Sequence, residues 1–240
     1  VRLVPSEVDT ERFCPASTQA SLSEHKTEAK AKNKEAQHKV KTPSALLYVG
    51  ALSRHKGLDL LLELFEGLVD ERPHLTLTLI GRTPPFEERW LKGALQRCRA
   101  HHRITLHPHL PQEALIEHYQ SADIYLLPSL FEGSPRALRE AIACGCVAIS
   151  SHLPGCLALD PQGEYLHFAP PRDLSVWRDR VREALDEPHP QREQRSARGV
   201  ARMRAHHHPS AVARAYLALY QEALAERERL VAEAERARLR

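Results

Sequence analysis

Nowhere in the 240-residue chain does an apolar run approach eighteen residues, so no segment is long enough to cross a bilayer as a helix. An excess of charge of one sign is lacking too. The 34 Lys and Arg against 31 Asp and Glu leave a formal charge of +3, too weak to argue for nucleic acid as a partner. Cysteine is sparse and odd in number: Cys14, Cys98, Cys144, Cys146 and Cys156. Cys144 and Cys146 stand one residue too close for a CxxC redox or zinc half-site, which points to a reducing, cytoplasmic setting. The phosphate-binding fingerprints GxGxxG and Walker A are also missing. The chain opens on Val1 without a charged-then-apolar leader, and it is expected to lack an upstream part.

What is present is core material, 42% hydrophobic, in a regular alternation. Short apolar runs occur at 46–49, 75–80, 104–106, 124–127, 147–149 and 165–168, separated by helical patterns at 57–71, 86–100, 111–121 and 135–144. In the first of these, Leu58, Leu61, Leu62, Phe65, Leu68 and Val69 recur at helical spacing. Strands and helices alternating at this pitch predict a doubly wound, Rossmann-like α/β domain with a parallel sheet of about six strands. After residue 173 the pattern is helical to the end, and the last charged stretch reads as a solvated helix or frayed tail. Residues 1–15 read as a short strand entering a turn. Residues 16–43, with six lysines and three glutamates among residues 16–42, read as a flexible basic linker. The expected domain runs from 44 to 187, followed by C-terminal helices and tail over 188–240.

In doubly wound sheets, ligands bind beyond the carboxyl ends of the strands. Two of the loops there carry chemistry. In "YVGALSRHKGLD", Gly50 allows a tight exit and Arg54 and Lys56 precede a helix, where backbone N–H groups favour a diphosphate. By itself, Arg-x-Lys before a helix is more often a solvated end. In "LFEGSPRALREAIACGCVAIS", Ser134 is placed as N-cap and Pro135 as first helical residue, with Leu138, Ala141, Ile142 and Gly145 facing the sheet. Glu132 then lies in the loop and Glu140 two turns in, on the far side. Local chemistry leaves two readings of this segment open. One is a ligand grip; the other is a loop carboxylate beside an Arg136/Glu140 surface pair.

Taken in order, these stretches resemble the nucleotide-binding C-terminal half of the family 4 (group 1) glycosyltransferases, which use nucleotide sugars and have the GT-B fold. "VPSEVDTERFCP" is similar to the family's interdomain crossing and "LLYVGALSRHKGLDLLLELF" to its diphosphate grip. "LTLIGRTP" is similar to its second strand, "ITLHPHLPQEALIEHYQSADIYLLPSLFEGSPRALREAIACGCVAIS" to its paired-glutamate block, and "HHHPSAVARAYLALYQEAL" to its final helix.

The resemblance implies a retaining transfer of a hexosyl group, with no metal or other cofactor expected. It implies that Arg54 and Lys56 neutralise the donor diphosphate, that Glu132 contacts sugar hydroxyls and that Glu140 accepts hydrogen bonds from the ribose. Gly50, Gly133, Ser134 and Pro135 then bring backbone close to phosphate and sugar oxygens, while Phe131 and Arg82 line the pocket and backbone near His107 to Leu110 faces the base. Implied partners are a nucleotide-sugar donor, a glycan or lipid-linked acceptor, and an N-terminal domain absent from this chain, with peripheral membrane contact through the basic linker and Arg-rich tail. Without that domain the chain is expected to be inactive alone. Ser6 and Glu7 stand where the family has Asn-Gly, and Pro108 where it often has Gly. Two rival functions remain: a non-catalytic binding subunit completed by a separate chain, and a GT-B nucleotide-sugar epimerase. His206, His207 and His208 are consecutive and read as structural or exposed, and Trp90 and Trp177 read as packing.

Overall fold

A computed structural model describes residues 6–19 and 44–238. Six strands form one sheet: β1 (Ala45–Val49), β2 (Thr76–Ile80), β3 (Ile104–His107), β4 (Ile124–Leu127), β5 (Val147–Ser151) and β6 (Leu166–Ala169). Their order is β3-β2-β1-β4-β5-β6 and every pairing is parallel. The chain therefore builds outward from β1 in one direction, then crosses over and builds outward from β4 in the other. The β1/β4 junction is the switch point at which the loops beyond the strands diverge and leave a crevice.

Alternate residues of each strand feed two cores. Leu46, Tyr48, Leu77, Leu79, Ile124 and Leu126 join α1 (Leu58–Leu68), α2 (Glu88–Arg97) and α6 (Leu174–Asp186) on one face. Leu47, Ile80, Tyr125 and Leu127 join α3 (Gln112–Ser121), α4 (Arg136–Ala143) and α7 (His189–His206) on the other. The predicted stripe of α1 is buried throughout, and Leu138, Ala141 and Ile142 of α4 face the sheet as expected. All five cysteines are free and buried, as small core residues. The short helix α5 (Pro154–Leu157) follows β5 and was not legible in the hydrophobic pattern.

At the N-terminal end, the strand expected first in residues 1–15 falls partly in 1–5, outside the described residues, and the turn expected after it is present within 6–15, closed by the Asp9 carboxylate accepting from the N–H groups of Glu11 and Arg12. Residues 16–19 form one helical turn, while 20–43 lie outside the described residues. At the other end, α7 packs directly on α4: a Cβ on Gly199 would stand 2.8 Å from Ile142 Cγ2, and the Ser196 hydroxyl donates to Gly145 O at 2.8 Å. The last helix, α8 (Pro209–Arg238), buries only Val212.

Candidate functional site at the switch point

The loops after β1 and β2 are zipped together before either reaches its helix. The N–H of Gly50 donates to Ile80 O and that of Leu52 to Arg82 O, both at 2.9 Å, which fixes Arg82 beside the β1 exit. The basic residues then form a single 3-10 turn, Arg54–Lys56, ended by Gly57 in the left-handed region (φ 74°). A Cβ there would stand 1.9 Å from Pro128 O, so only glycine lets this turn lie against the loop after β4. The Leu130 N–H donates to His55 O, and the His55 ring stacks on Phe131 with centroids 5.2 Å apart. Basic turn and acidic loop are thus one unit across the switch point.

The two cations are held by different carboxylates. Lys56 Nζ donates to Glu132 Oε1 at 2.8 Å, and the Ser129 hydroxyl donates to the same oxygen at 2.8 Å. Arg54 Nε donates to Oε2 of buried Glu87 at 3.0 Å, and its guanidinium lies over the Trp90 ring, 5.5 Å from the centroid. Side-chain exposure separates them: 28% for Lys56 and 53% for Arg54. Lys56 is the more buried of the two charges, whereas Arg54 is a partly exposed arm braced by Glu87. Trp90, read from sequence as packing, is also the platform for that arm.

Helix α4 begins at Arg136, one residue later than predicted. Pro135 occupies the capping position, and no side chain caps the helix. The Ser134 hydroxyl, expected there as N-cap, instead accepts from Arg139 Nη1 at 2.9 Å and meets the Ser6 hydroxyl at 2.5 Å. Ser6 is pinned in turn, its carbonyl lying 2.8 Å from His207 Nδ1. The Gly133–Ser134–Pro135 turn is thereby tied to the segment that precedes the domain. From the other side α5 backs it, since a Cβ on Gly155 would fall 2.5 Å from Glu132 O.

Glu140 departs from the surface-pair reading. Its carboxylate is half-buried and Oε2 accepts from the Tyr119 hydroxyl of α3 at 3.0 Å. Burial raises its pKa, opposed by the Tyr119 hydrogen bond and by the charges of Arg136 and Arg139. Arg139 is itself buried, a cation that the sequence placed simply in the helix.

Direct contacts therefore join Arg54 to Glu87, Lys56 to Glu132, His55 to Phe131, and Ser134 to Arg139 and Ser6, with Gly50 and Arg82 zipped at the side. Glu140 belongs to the same helix but faces α3. Sequence reasoning missed Ser129, Glu87, Tyr119 and Arg139. Only Ser129 carried a local signal, lying three residues before Glu132 in the same loop. Near the predicted base-facing stretch, His107 O accepts from the Gly81 N–H at 2.9 Å, and the His107 ring lies 5.0 Å from that of His118. Among the described residues no group of three or more His, Cys, Asp or Glu side chains is arranged to hold a metal ion, and no helix is long and apolar enough to cross a membrane.

The family described as "Glycosyl transferases group 1" matches residues 29–201 of this chain. The chain belongs to the group 1 glycosyltransferases. A glycogen synthase of Mycobacterium tuberculosis is 30% identical over 157 residues, covering 65% of this chain and 37% of the relative. A sucrose-phosphate synthase from Thermosynechococcus elongatus shares the fold with a TM-score of 0.74 at 23% identity, over 94% of this chain and 53% of that one. The Anabaena protein HepE, solved with UDP and glucose, does so with a TM-score of 0.72 at 13% identity, over 92% and 56% respectively. The chain spans about a third of the length of the curated relatives it matches. Its fold is that of the Rossmann-like C-terminal domain of GT-B glycosyltransferases, with an added C-terminal helix.

Proposed function

We propose that this chain is the donor-binding half of a retaining glycosyltransferase, taking a hexosyl group from a nucleotide-diphosphate sugar for a glycan or lipid-linked acceptor. A further domain, outside this chain, supplies the acceptor site. The observation that carries the reading is the Lys56–Glu132 pair, 2.8 Å apart at the β1/β4 switch point. A partly buried ammonium beside a carboxylate, both in loops beyond strand carboxyl ends, offers a cation for a diphosphate and an acceptor for a hydroxyl side by side. Glu132 Oε1 is committed to Lys56 and Ser129, while Oε2 has no hydrogen-bond partner among the described residues and is left for a sugar hydroxyl.

In the transfer, the bond from the anomeric carbon to the β-phosphate oxygen breaks, the nucleoside diphosphate leaves with the electron pair, and the anomeric carbon bonds to the acceptor hydroxyl oxygen, whose proton goes to the departing diphosphate or to solvent. Negative charge grows on that oxygen as the sugar becomes oxocarbenium-like. Lys56 stabilises charge where it develops, and Arg54, held by Glu87 and Trp90, reaches the diphosphate from its solvent side. This is electrostatic catalysis on the leaving group, and it requires no metal. Calorimetric titration of the purified chain with UDP-, GDP- and ADP-glucose tests the reading. At least one is expected to bind, with Lys56→Ala weakening that binding by about tenfold or more. Absence of binding by all three, or equal affinity in Lys56→Ala, would sink it.

A further inference from the structure

Glu140 is held differently from every other acidic side chain of the site. Its partner is a neutral hydroxyl, from Tyr119 on α3, bound through one oxygen only; Oε1 has no hydrogen-bond partner among the described residues. Tyr119 is fully buried and immobilised on three sides. Its ring meets Phe13 edge-on with centroids 6.2 Å apart and lies tilted against Tyr125 at 6.0 Å, and its carbonyl accepts the Cys146 thiol at 2.8 Å. A ring wedged in this way leaves its hydroxyl one direction in which to donate.

We propose that Tyr119 is a positioning residue of the nucleotide site, occupying Oε2 of Glu140 so that Oε1 is presented to a vicinal diol such as a ribose. The inference rests on the reading of Glu140 as a ribose contact, and it names what makes that contact competent. A free carboxylate at the end of a flexible side chain samples several rotamers, and a diol selects only one of them. Fixing the carboxylate beforehand removes that ordering cost from the binding step. The hydroxyl also favours the ionised acid. A diol needs the anion as acceptor, and burial pulls Glu140 toward the neutral form. The groups facing the carboxylate are Tyr119 from α3, Tyr125 from β4, and Arg136, Arg139 and Cys144 from α4 and its end. Among them Tyr119 alone donates a hydrogen bond to it among the described residues. The Tyr119 hydroxyl itself is pushed well above its ordinary pKa by burial, so it stays a protonated donor throughout the working range.

The test is Tyr119→Phe in the full chain, which keeps the ring and its packing and deletes one oxygen. UDP, GDP and ADP are titrated across about pH 5 to 8, bracketing a raised carboxylate. The nucleotide that binds the wild type is expected to bind the variant about five- to tenfold more weakly at neutral pH. The pH at which affinity falls on acidification is expected to move upward, because the bond that favoured the anion is gone. In a Glu140→Gln background the carboxylate's share of the pH dependence is lost, leaving that of the ligand's own phosphate, and adding Tyr119→Phe changes affinity little if the hydroxyl acts through the carboxylate. An effect of the same size in both backgrounds, or an unchanged pH profile, overturns the proposal. The carboxyl ¹³C titration of Glu140 without ligand separates this inference from the donor-site reading. An upward pKa shift in Tyr119→Phe upholds the hold on Glu140 even if no nucleotide binds, and an unshifted pKa refutes it.

Discussion

The loop that carries Glu132 and the helix that carries Glu140 are eight positions apart in sequence and solve the same problem in opposite ways. Glu132 is balanced by a full charge, Lys56, delivered across the switch point on a glycine-ended turn. Glu140 is balanced by an uncharged phenol from the neighbouring helix and is left partly desolvated, with its pKa raised. The difference teaches what each carboxylate can tolerate. The charge pair depends on two loops staying in register. A half-buried carboxylate on a helix is placed by packing and one hydroxyl, and its ionisation is the fragile quantity. In the proposed reading, a sugar, which varies between donors, would meet the loop, and a ribose, common to all of them, would meet the helix.

The strongest break in the comparison attacks the register of the loops. Gly57→Ala forces a side chain into the left-handed region with its Cβ 1.9 Å from Pro128 O, so the basic turn must lift from the acidic loop. Thermal denaturation is expected to show a loss of about 2–4 kcal/mol, with nucleotide-sugar binding abolished. A variant that binds normally would show that the two loops need not touch. Next in size is Glu132→Gln, which keeps the shape and removes the charge. If the proposed sugar contact holds, affinity for the sugar nucleotide is expected to drop about tenfold, while affinity for the free nucleoside diphosphate changes little. Equal losses for both ligands would move Glu132 from the sugar to the phosphates.

What the sequence could show of these two regions follows from distance along the chain. The strand runs were legible because burial on both faces of a parallel sheet demands near-continuous apolar residues, as in "IYLL" at 124–127, buried at every position. The α4 stripe was legible because Leu138, Ala141 and Ile142 repeat at helical spacing. The start of α4 was misplaced by one residue because Ser134 had a better partner than its own helix. Arg139 lies one turn on and Ser6 lies 128 positions back, and no local rule weighs a hydroxyl that distant. The partners of Arg54 and Glu140 were invisible for the same reason. Glu87 is 33 positions from Arg54 and Tyr119 is 21 from Glu140, each on another element. The place of Glu132 in the loop after a strand and of Glu140 on the helix that follows was legible from the alternation of elements; the forces holding them were not.

The two smaller tests concern the helix side. Glu140→Gln removes a carboxylate whose folded pKa is raised. The folded state therefore binds its proton more tightly than the unfolded chain does, and that preference stabilises the fold below the unfolded pKa. The stabilisation is lost as pH rises through the folded pKa, so at neutral pH the ionised Glu140 works against folding. The Gln variant is expected to be more stable at neutral pH by about 0.5–1 kcal/mol, and to bind sugar nucleotide and free nucleoside diphosphate equally less well. The weakening of both ligands would set Glu140→Gln apart from Glu132→Gln, which should weaken only the sugar nucleotide. The gain in denaturant midpoint should shrink as the buffer is taken down to acid pH, and a gain that is flat with pH would contradict the raised pKa.

Smallest of all should be Arg136→Ala. Its guanidinium is exposed at the first helical position and acts on Glu140 through solvent without a hydrogen bond among the described residues, so removing it should change stability by no more than about 0.5 kcal/mol. The loss of its charge should nudge the acid limb of nucleotide binding upward by less than Tyr119→Phe does. Were Arg136→Ala to move that limb further than Tyr119→Phe, Glu140 would be governed by charge after all, and the distinction between loop and helix would collapse.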